Sequence, residues 1–196
     1  MNNKRTSIKT ERLVLGAILT AIVVVLQVIA IVTRAVLPIF SINLVLIPIV
    51  IGAAIGGVGV GAWLGFASGV AVLVSGDAAA FLSVNIFGTV LTVLLKGVLS
   101  GVAAAAVYKL LEKMNQYLAV LCAALVCPIV NTGVFILGCF TFFIDTVRAW
   151  GEGLGYTNAF VYVILGMVGI NFIIELVLNV ILSPVVVRLL KIKGKK

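Results

Sequence analysis

The sequence contains no histidine and few charged residues, and both shortages limit its chemistry. Of its 196 residues, 6 are acidic and 14 are Lys or Arg, which together make up 10% of the chain. Histidine is a frequent general base and the commonest metal ligand, so its absence removes both roles. The carboxylates Asp77, Asp145 and Glu152 match no paired-carboxylate or metal-binding pattern. An enzyme is therefore disfavoured, and we expect neither a metal nor a cofactor.

Cysteine is scarce, and no nucleotide-binding motif is present. Cys122, Cys127 and Cys139 lie in one apolar segment. Their spacing fits neither a CxxC motif nor a metal site, so we interpret them as buried thiols. The sequence has no GxxxxGK[ST] motif. Any ATP that drives this protein must therefore be bound by another polypeptide.

Apolar residues dominate the composition. They form 63% of the chain, and the mean hydropathy is +1.34. A soluble core of this size does not need so much apolar surface, which indicates an integral membrane protein. The apolar runs are continuous rather than alternating, which favours helices over a β-barrel. Since a span takes about 20 residues, we predict an all-α protein with six transmembrane helices in one domain, residues 1–196.

The first two predicted helices cover residues 13–32 and 43–55. The third ends near residue 74 and the fourth near residue 111. The fifth and sixth cover residues 117–143 and 159–190. Loops are predicted at residues 33–42 and 144–158. Pro48 should kink the short second helix.

The net charge of +8 is concentrated at three places. Basic residues precede the first helix, lie between the fourth and fifth helices, and follow the last helix: Lys4, Arg5, Lys9, Arg12, Lys109, Lys113, Arg188, Lys191, Lys193, Lys195 and Lys196. With six spans these clusters share one side, which the positive-inside rule makes cytoplasmic. Both termini are therefore predicted to be cytoplasmic, with basic tails at residues 1–12 and 191–196.

Polar residues mark one face of the fourth helix. Asn85, Thr89, Thr92, Lys96 and Ser100 are spaced by four, three, four and four residues. A lysine in the middle of an apolar helix costs about 2.5–3.5 kcal/mol on insertion scales, so it should face the protein interior or a hydrated cavity. Two interpretations remain open: a structural ion pair, or a wall of a binding site for a polar solute.

The fifth and sixth helices carry matching polar positions. Asn171, Glu175, Asn179 and Ser183 lie four residues apart on the sixth helix. Counted from the outer ends of their helices, Glu175 and Lys96 reach similar depth. We hypothesise that they pair or jointly bind a polar ligand. In the fifth helix Pro128 frees a carbonyl group; Asn131 either satisfies it or faces the solute.

Small residues indicate close helix packing. Gly57, Gly61, Gly65 and Gly69 are four apart and predict a smooth ridge, with an intramolecular seam favoured over a partner interface. Ala17 and Ala21 are also four apart, and ordinary packing is the simpler interpretation. Gln27, further along the first helix, is an isolated polar group that should find an intramolecular partner.

The layout of about residues 11–192 resembles the substrate-binding S component of an energy-coupling factor (ECF) transporter, a vitamin-uptake system of prokaryotes. The resemblance rests on six helices with both ends inside, Ala17-x-x-x-Ala21, INLVLIPIVIGAAIGGVGVGAWLGF, LLKGVLSGVAAAAVYKLL and NFIIELVLNVILSPVVVRLLK.

This resemblance implies a multi-pass protein of the prokaryotic plasma membrane that binds one micronutrient tightly. It would dock through Ala17 and Ala21 on a transmembrane coupling protein that carries two ABC-type ATPase subunits, and it would topple in the membrane during transport. The implied site lies near the external side and is lined by Asn85, Thr89, Thr92, Lys96, Asn131, Asn171 and Glu175. Loops holding Arg34, Asp77 and Trp150 would close over it.

The substrate and the energy source have alternatives. Lys96 favours a carboxylate or phosphate group, which suggests pantothenate first, followed by a pyridoxine-like or pyrimidine-like vitamin precursor. A flavin has less support, because few aromatic residues lie on the polar faces. The alternative function is a self-contained, proton-coupled secondary transporter of a small polar solute, built on Glu175. Residues 13–74 and 117–190 show no convincing repeat, which disfavours it.

Overall fold

A computed structural model describes residues 2–36 and 44–194, with side chains described for residues 10–33 and 44–192. This part of the chain is helical, with turns between the helices and no strand, which confirms the predicted all-α class. The helices are α1 (Asn2–Val36), α2 (Leu46–Gly56), α3 (Val58–Val74), α4 (Ala79–Leu82), α5 (Ile86–Leu111), α6 (Gln116–Phe142), α7 (Ile144–Gly153), α8 (Ala159–Val161), a π-helical segment (Tyr162–Val168) and α9 (Gly169–Gly194).

Four stretches of the described helices are long and apolar enough to cross a membrane. They are Thr10–Thr33, Ile86–Leu111, Gln116–Phe142 and Ala159–Ile192. The helices α2 and α3 are also apolar, but they have only 11 and 17 residues. The six predicted spans thus correspond to four helices of spanning length and two shorter ones.

The first two helices differ from the prediction at their ends. Helix α1 extends beyond residues 13–32 in both directions, since no proline or glycine interrupts residues 2–12 or 33–36. Residues 37–43 and the side chain of Arg34 lie outside the described residues. Pro48 is the third residue of α2. A first-turn proline removes no intrahelical hydrogen bond, so the missing N–H of Pro48 gives no reason for a kink inside α2.

The prediction of a loop at residues 144–158 was wrong for most of that segment, because α7 occupies its first ten residues. Val147 and Gly151, four residues apart, are buried against the bundle and give α7 one packed face. Asp145 lies in the first turn, where a negative charge is favourable. The polar composition of the segment concealed this short amphipathic helix.

The glycine ridge of α3 forms an intramolecular seam with α5, as favoured by the sequence. A Cβ added to Gly61 would lie 2.6 Å from the carbonyl oxygen of Gly101, and one added to Gly65 would collide with the carbonyl of Gly97. The two backbones therefore touch directly. Gly57 has a different role: with φ of 81° it forms the turn between α2 and α3.

The core is divided between the two ends of the bundle. We call the end at which α3 ends and α5 begins the α4 end. The larger cluster of buried apolar residues, including Ile49, Leu64 and Val120, joins α1, α2, α3, α5, α6 and α9 away from that end. A smaller cluster at the α4 end contains Phe143 and Val147. A cavity between α5, α6 and α9 lies next to this smaller cluster.

Candidate functional site

A cavity of about 290 Å³ lies toward the α4 end, between α5, α6 and α9. Six of the seven residues predicted to bind substrate are among its lining residues: Thr89, Thr92, Lys96, Asn131, Asn171 and Glu175. The 3.6-residue period of each helix places these side chains on the face that borders the cavity. Polar groups from three helices thus converge on one cavity.

Helix α5 supplies two threonines and a lysine to the cavity. Thr89 and Thr92 are buried, and the Thr89 hydroxyl donates to the carbonyl oxygen of Asn85 at 2.7 Å. That hydroxyl oxygen keeps acceptor capacity toward the cavity. Lys96 lies one turn further along, and its Nζ is 5.4 Å from the centroid of the Phe135 ring. This is the range of a cation–π contact.

Asn85, the seventh predicted residue, does not belong to the lining. Its backbone is extended, with φ of −150° and ψ of 99°, and its side-chain oxygen accepts a hydrogen bond from the backbone N–H of Gly88 at 2.9 Å. Asn85 is therefore the N-cap of α5. It has the same spacing as the threonines, but it precedes the first helical residue, Ile86.

Helix α6 contributes Asn131 and connects the cavity to α5. The Asn131 amide nitrogen lies 3.5 Å from the backbone carbonyl oxygen of Lys96, a long hydrogen bond. Asn131, Phe135 and Cys139 are four residues apart and all line the cavity. Neither interpretation of Asn131 from the sequence anticipated a contact with the backbone of the lysine turn.

Helix α9 supplies Asn171 and Glu175 from the opposite wall. Glu175 and Lys96 line the same cavity, and their charges interact electrostatically. The next residue of the polar face, Asn179, is buried and donates from its side chain to the Glu175 carbonyl oxygen at 2.8 Å. Ser183 is buried below it. The polar face of α9 thus begins in the cavity and continues into the core.

Aromatic rings enclose the cavity at the α4 end. Phe81 makes edge-to-face contacts with Phe135, Phe143 and Trp150, at centroid distances of 5.8, 4.9 and 5.3 Å. Phe81, Phe135, Phe143 and Phe172 all belong to the lining. Sequence reasoning missed these rings. The spacing of Phe135 four residues after Asn131 was the only signal, because the other contacts join distant segments.

A hydrogen bond between α1 and the α3–α4 turn closes one side of the cavity. Gln27 is only 5% exposed. Its amide nitrogen donates to the Ser75 hydroxyl at 3.2 Å and also to the Asp77 carboxylate. The predicted intramolecular partner of Gln27 is therefore confirmed. The Asp77 side chain does not cap α4, and both Gln27 and Asp77 line the cavity.

The two alanines of α1 lie on a separate surface. Ala17 and Ala21 are exposed and line a groove of about 1420 Å³ formed by α1, α2, α3 and α5. Trp63 lies in this groove, and its indole N–H donates to the Thr20 hydroxyl at 3.1 Å. The groove shares no lining residue with the cavity, so the described residues form a cavity of ligand size and, separately from it, a broad and mostly apolar groove.

The described residues provide no group of three or more His, Cys, Asp or Glu side chains that would hold a metal ion. Cys127 and Cys139 are buried free thiols, and Cys122 is half-buried. Cys139 alone among them lines the cavity. The site is therefore built from hydrogen-bonding groups, one lysine, the two carboxylates Asp77 and Glu175, and aromatic rings, which suits binding rather than bond making.

Apolar helices throughout the described residues, with polar side chains gathered around a cavity between them, are the features of a membrane protein that binds a small molecule. A comparison with family models matches residues 11–187 to the ECF transporter, substrate-specific component. The chain belongs to this family. Comparisons with the curated proteins and with the solved structures each found no significant match.

Membership defines the general role of the chain. It is a multi-pass membrane protein and a substrate-binding subunit of an ECF transporter, not an enzyme. It takes a small-molecule substrate and works with an ECF module composed of a transmembrane protein and ATPases.

Proposed function

We propose that this chain is the high-affinity binding subunit for uptake of a small micronutrient, a vitamin or its precursor, which it delivers to an ECF ABC-type ATP-driven module. The observation that carries the proposal is the cavity between α5, α6 and α9. Its volume of about 290 Å³ lies just below the range of roughly 300–1,000 Å³ that is typical of sites for drug-sized ligands. A vitamin-sized molecule suits it.

The substrate-binding residues that we propose are Thr89, Thr92, Lys96, Asn131, Asn171 and Glu175, with Asn85 supporting them as the cap of α5. A small polar molecule loses its hydration on entering such a cavity, so each of its polar groups needs a partner there. Amides, hydroxyls and two opposite charges offer both donors and acceptors.

The proposed topology has six transmembrane helices in one domain, with both termini cytoplasmic. The spans are α1, α2, α3, α5, α6 and the continuous stretch of the π-helical segment with α9. The positions of the basic clusters support this orientation. The α4 end then faces the exterior, where a nutrient would arrive.

Docking on the module is assigned to Ala17 and Ala21. These exposed small side chains leave α1 open to close approach by a partner helix, within an apolar groove. The proposed partner is the transmembrane coupling protein, which carries two ABC ATPase subunits in the plasma membrane of a prokaryote. Ala17→Trp should abolish co-purification with the module while ligand binding persists. Val25→Trp, at an exposed α1 position outside the groove, is the matched control.

The test of function is equilibrium binding by the purified full chain in detergent, without partners. The panel contains pantothenate, pyridoxine and 4-amino-5-hydroxymethyl-2-methylpyrimidine, the three substrate types that the sequence suggested. Saturable binding of one compound, weakened by Asn131→Ala, is the expected result. Absence of binding across the panel, together with uptake driven by a proton gradient in cells lacking the ATPases, would instead favour the proton-coupled transporter.

A further inference from the structure

Phenylalanine rings line the cavity from the α4 end to the depth of Lys96, and Lys96 and Glu175 lie in its deeper part. Phe81 and Phe143 lie at the α4 end, where α5 begins. Lys96 is ten residues into α5, about 15 Å along the helix axis from its first residue. A ligand that fills the cavity therefore meets aromatic surface along its length, the Asp77 carboxylate at the α4 end, and Lys96 and Glu175 at the deeper end.

Aromatic rings make up a substantial share of the cavity lining. Four phenylalanines line a cavity of about 290 Å³, and one of them, Phe81, contacts Phe135, Phe143 and Trp150 edge to face. Phe81, Phe135 and Phe172 are half-buried and line the cavity, so a flat ring could pack against them. Aromatic pairs gain stability beyond the area that they bury. An aliphatic chain would gain burial here but none of this additional stabilisation.

The polar part contains both signs of charge. Lys96 attracts an anionic or electron-rich group, whereas Glu175 repels an anion and accepts hydrogen bonds from N–H or O–H donors. Asn131 and Asn171 offer both donor and acceptor atoms beside them. An edge that presents a donor and an acceptor side by side satisfies all of these groups, and a single carboxylate does not.

We infer that the substrate is a small planar nitrogen heterocycle without net negative charge, held among the phenylalanines with its donor–acceptor edge toward Lys96 and Glu175. This inference rests on the proposed function and narrows its substrate class. It favours the pyridine-like and pyrimidine-like compounds of the panel over pantothenate, an aliphatic anion.

The test compares pyridoxine, 4-amino-5-hydroxymethyl-2-methylpyrimidine and pantothenate on the full chain in detergent. The chain has two tryptophans, so a Trp63→Phe background isolates the fluorescence of Trp150, whose ring is 5.3 Å from that of Phe81. One of the two ring compounds should bind and change this fluorescence. Phe81→Leu and Phe135→Leu should each weaken its binding roughly two- to tenfold.

Phe140→Leu is the matched control. The Phe140 ring stacks on Phe160 at 5.9 Å and is outside the cavity lining, so the same loss of an aromatic ring occurs away from the ligand. Its affinity for the ring compound should stay within twofold of the parent. Melting temperatures measured without ligand identify any variant that fails to fold. Mass spectrometry of small molecules extracted from the purified parent chain provides a second measurement independent of the variants.

The outcomes separate the inference from the function on which it rests. A co-purified or titrated ring compound whose affinity depends on Phe81 or Phe135 supports both. Tight binding of pantothenate with no dependence on either ring overturns the heterocycle and leaves the binding-subunit function intact. Absence of any bound compound in both the titration and the extraction overturns both.

Discussion

The two sides of α5 illustrate opposite uses of a membrane helix. On one side Gly97 and Gly101 press their backbone against α3, where an added Cβ would meet a carbonyl. On the other side Thr92 and Lys96 border the cavity. Lys96 and Gly97 are adjacent in sequence and lie on these different surfaces. The helix that forms this wall of the site is therefore packed backbone to backbone against α3 on its opposite side.

This contrast separates the residues that determine stability from those that determine binding. Glycine at the α3–α5 seam provides close packing, which stabilises the pair of helices through contact over their length. Polar residues at the cavity reduce the stability of the protein in the membrane, and they are tolerated because they are paired or face hydrated space. The two classes should respond differently to substitution.

Neutralising the charges of the cavity should have the largest effect. Lys96 and Glu175 are half-buried and their charges interact across the cavity. A hydrogen bond to a charged group contributes about 1.5–3 kcal/mol, so Lys96→Met should lower ligand affinity at least about tenfold. It should also lower the melting temperature, because Glu175 loses its opposite charge. The double variant Lys96→Met/Glu175→Gln should regain thermal stability without regaining binding. Binding titration and thermal unfolding in detergent measure the two effects.

Lys113→Met is the control for that experiment, since Lys113 is exposed and lies outside both pockets. If Lys96→Ala and Glu175→Ala each leave folding and binding unchanged, the two residues neither pair nor bind the ligand.

Filling the seam should have the next largest effect, and it should act on stability. Gly97→Ala places a methyl group against the backbone of Gly65, which cannot move without moving α3. We expect a loss of about 3 kcal/mol, the upper end of overpacking costs. Gly59→Ala in α3, where nothing lies within 4 Å of the added Cβ, should be neutral or slightly stabilising. Equal melting temperatures for Gly97→Ala and the parent would show that the seam is looser than the structure indicates.

Disrupting the hydrogen bond from α1 to the α3–α4 turn should have the third largest effect, and it should lower the stability of the protein. Gln27→Glu places a second carboxylate beside Asp77, and we expect a loss of about 2 kcal/mol of stability from the lost charged hydrogen bond. Repulsion between the two carboxylates adds to this loss. Gln116→Glu is the matched control, because a negative charge at the first residue of α6 is favourable. Thermal unfolding at neutral pH should rank Gln27→Glu well below Gln116→Glu.

The smallest effect is expected at the N-cap of α5. Asn85→Ala should reduce stability by about 1 kcal/mol and change affinity less than twofold, whereas Asn85→Asp keeps the cap. Asn115→Ala removes the corresponding cap of α6 at the other end of the bundle and is the comparison. A large loss of affinity in Asn85→Ala with an unchanged melting temperature would place Asn85 in direct contact with the ligand.

Helical periodicity made much of the cavity lining predictable. Residues spaced by three or four must share a face, so spacing alone placed Thr89, Thr92 and Lys96 on one face of α5 and Asn171 and Glu175 on one face of α9, and both faces border the cavity. Asn85 has the same spacing, but periodicity does not indicate where a helix begins. The role of Asn85 as a cap emerged only from its extended backbone.

The parts that escaped prediction depend on contacts between distant segments. Phe81 meets Phe143 and Trp150 because α4, α6 and α7 assemble at one end, and no local pattern encodes that assembly. The partner of Gln27 lies 50 residues away at Asp77. The sequence indicated that Gln27 needs a partner, but it did not identify which residue would provide one.

The π-helical segment determines how tolerant the chain is of insertions and deletions. Tyr162–Val168 has one residue more per hydrogen-bonded ring than an α-helix, and it immediately precedes the helix that carries Asn171 and Glu175. Each residue of an α-helix turns the chain by about 100°. Removing a single residue here would therefore turn every later side chain of α9 by about a quarter of a circle, so that the polar face leaves the cavity while composition and hydropathy barely change. Length in this segment is thus as specific a requirement as residue identity.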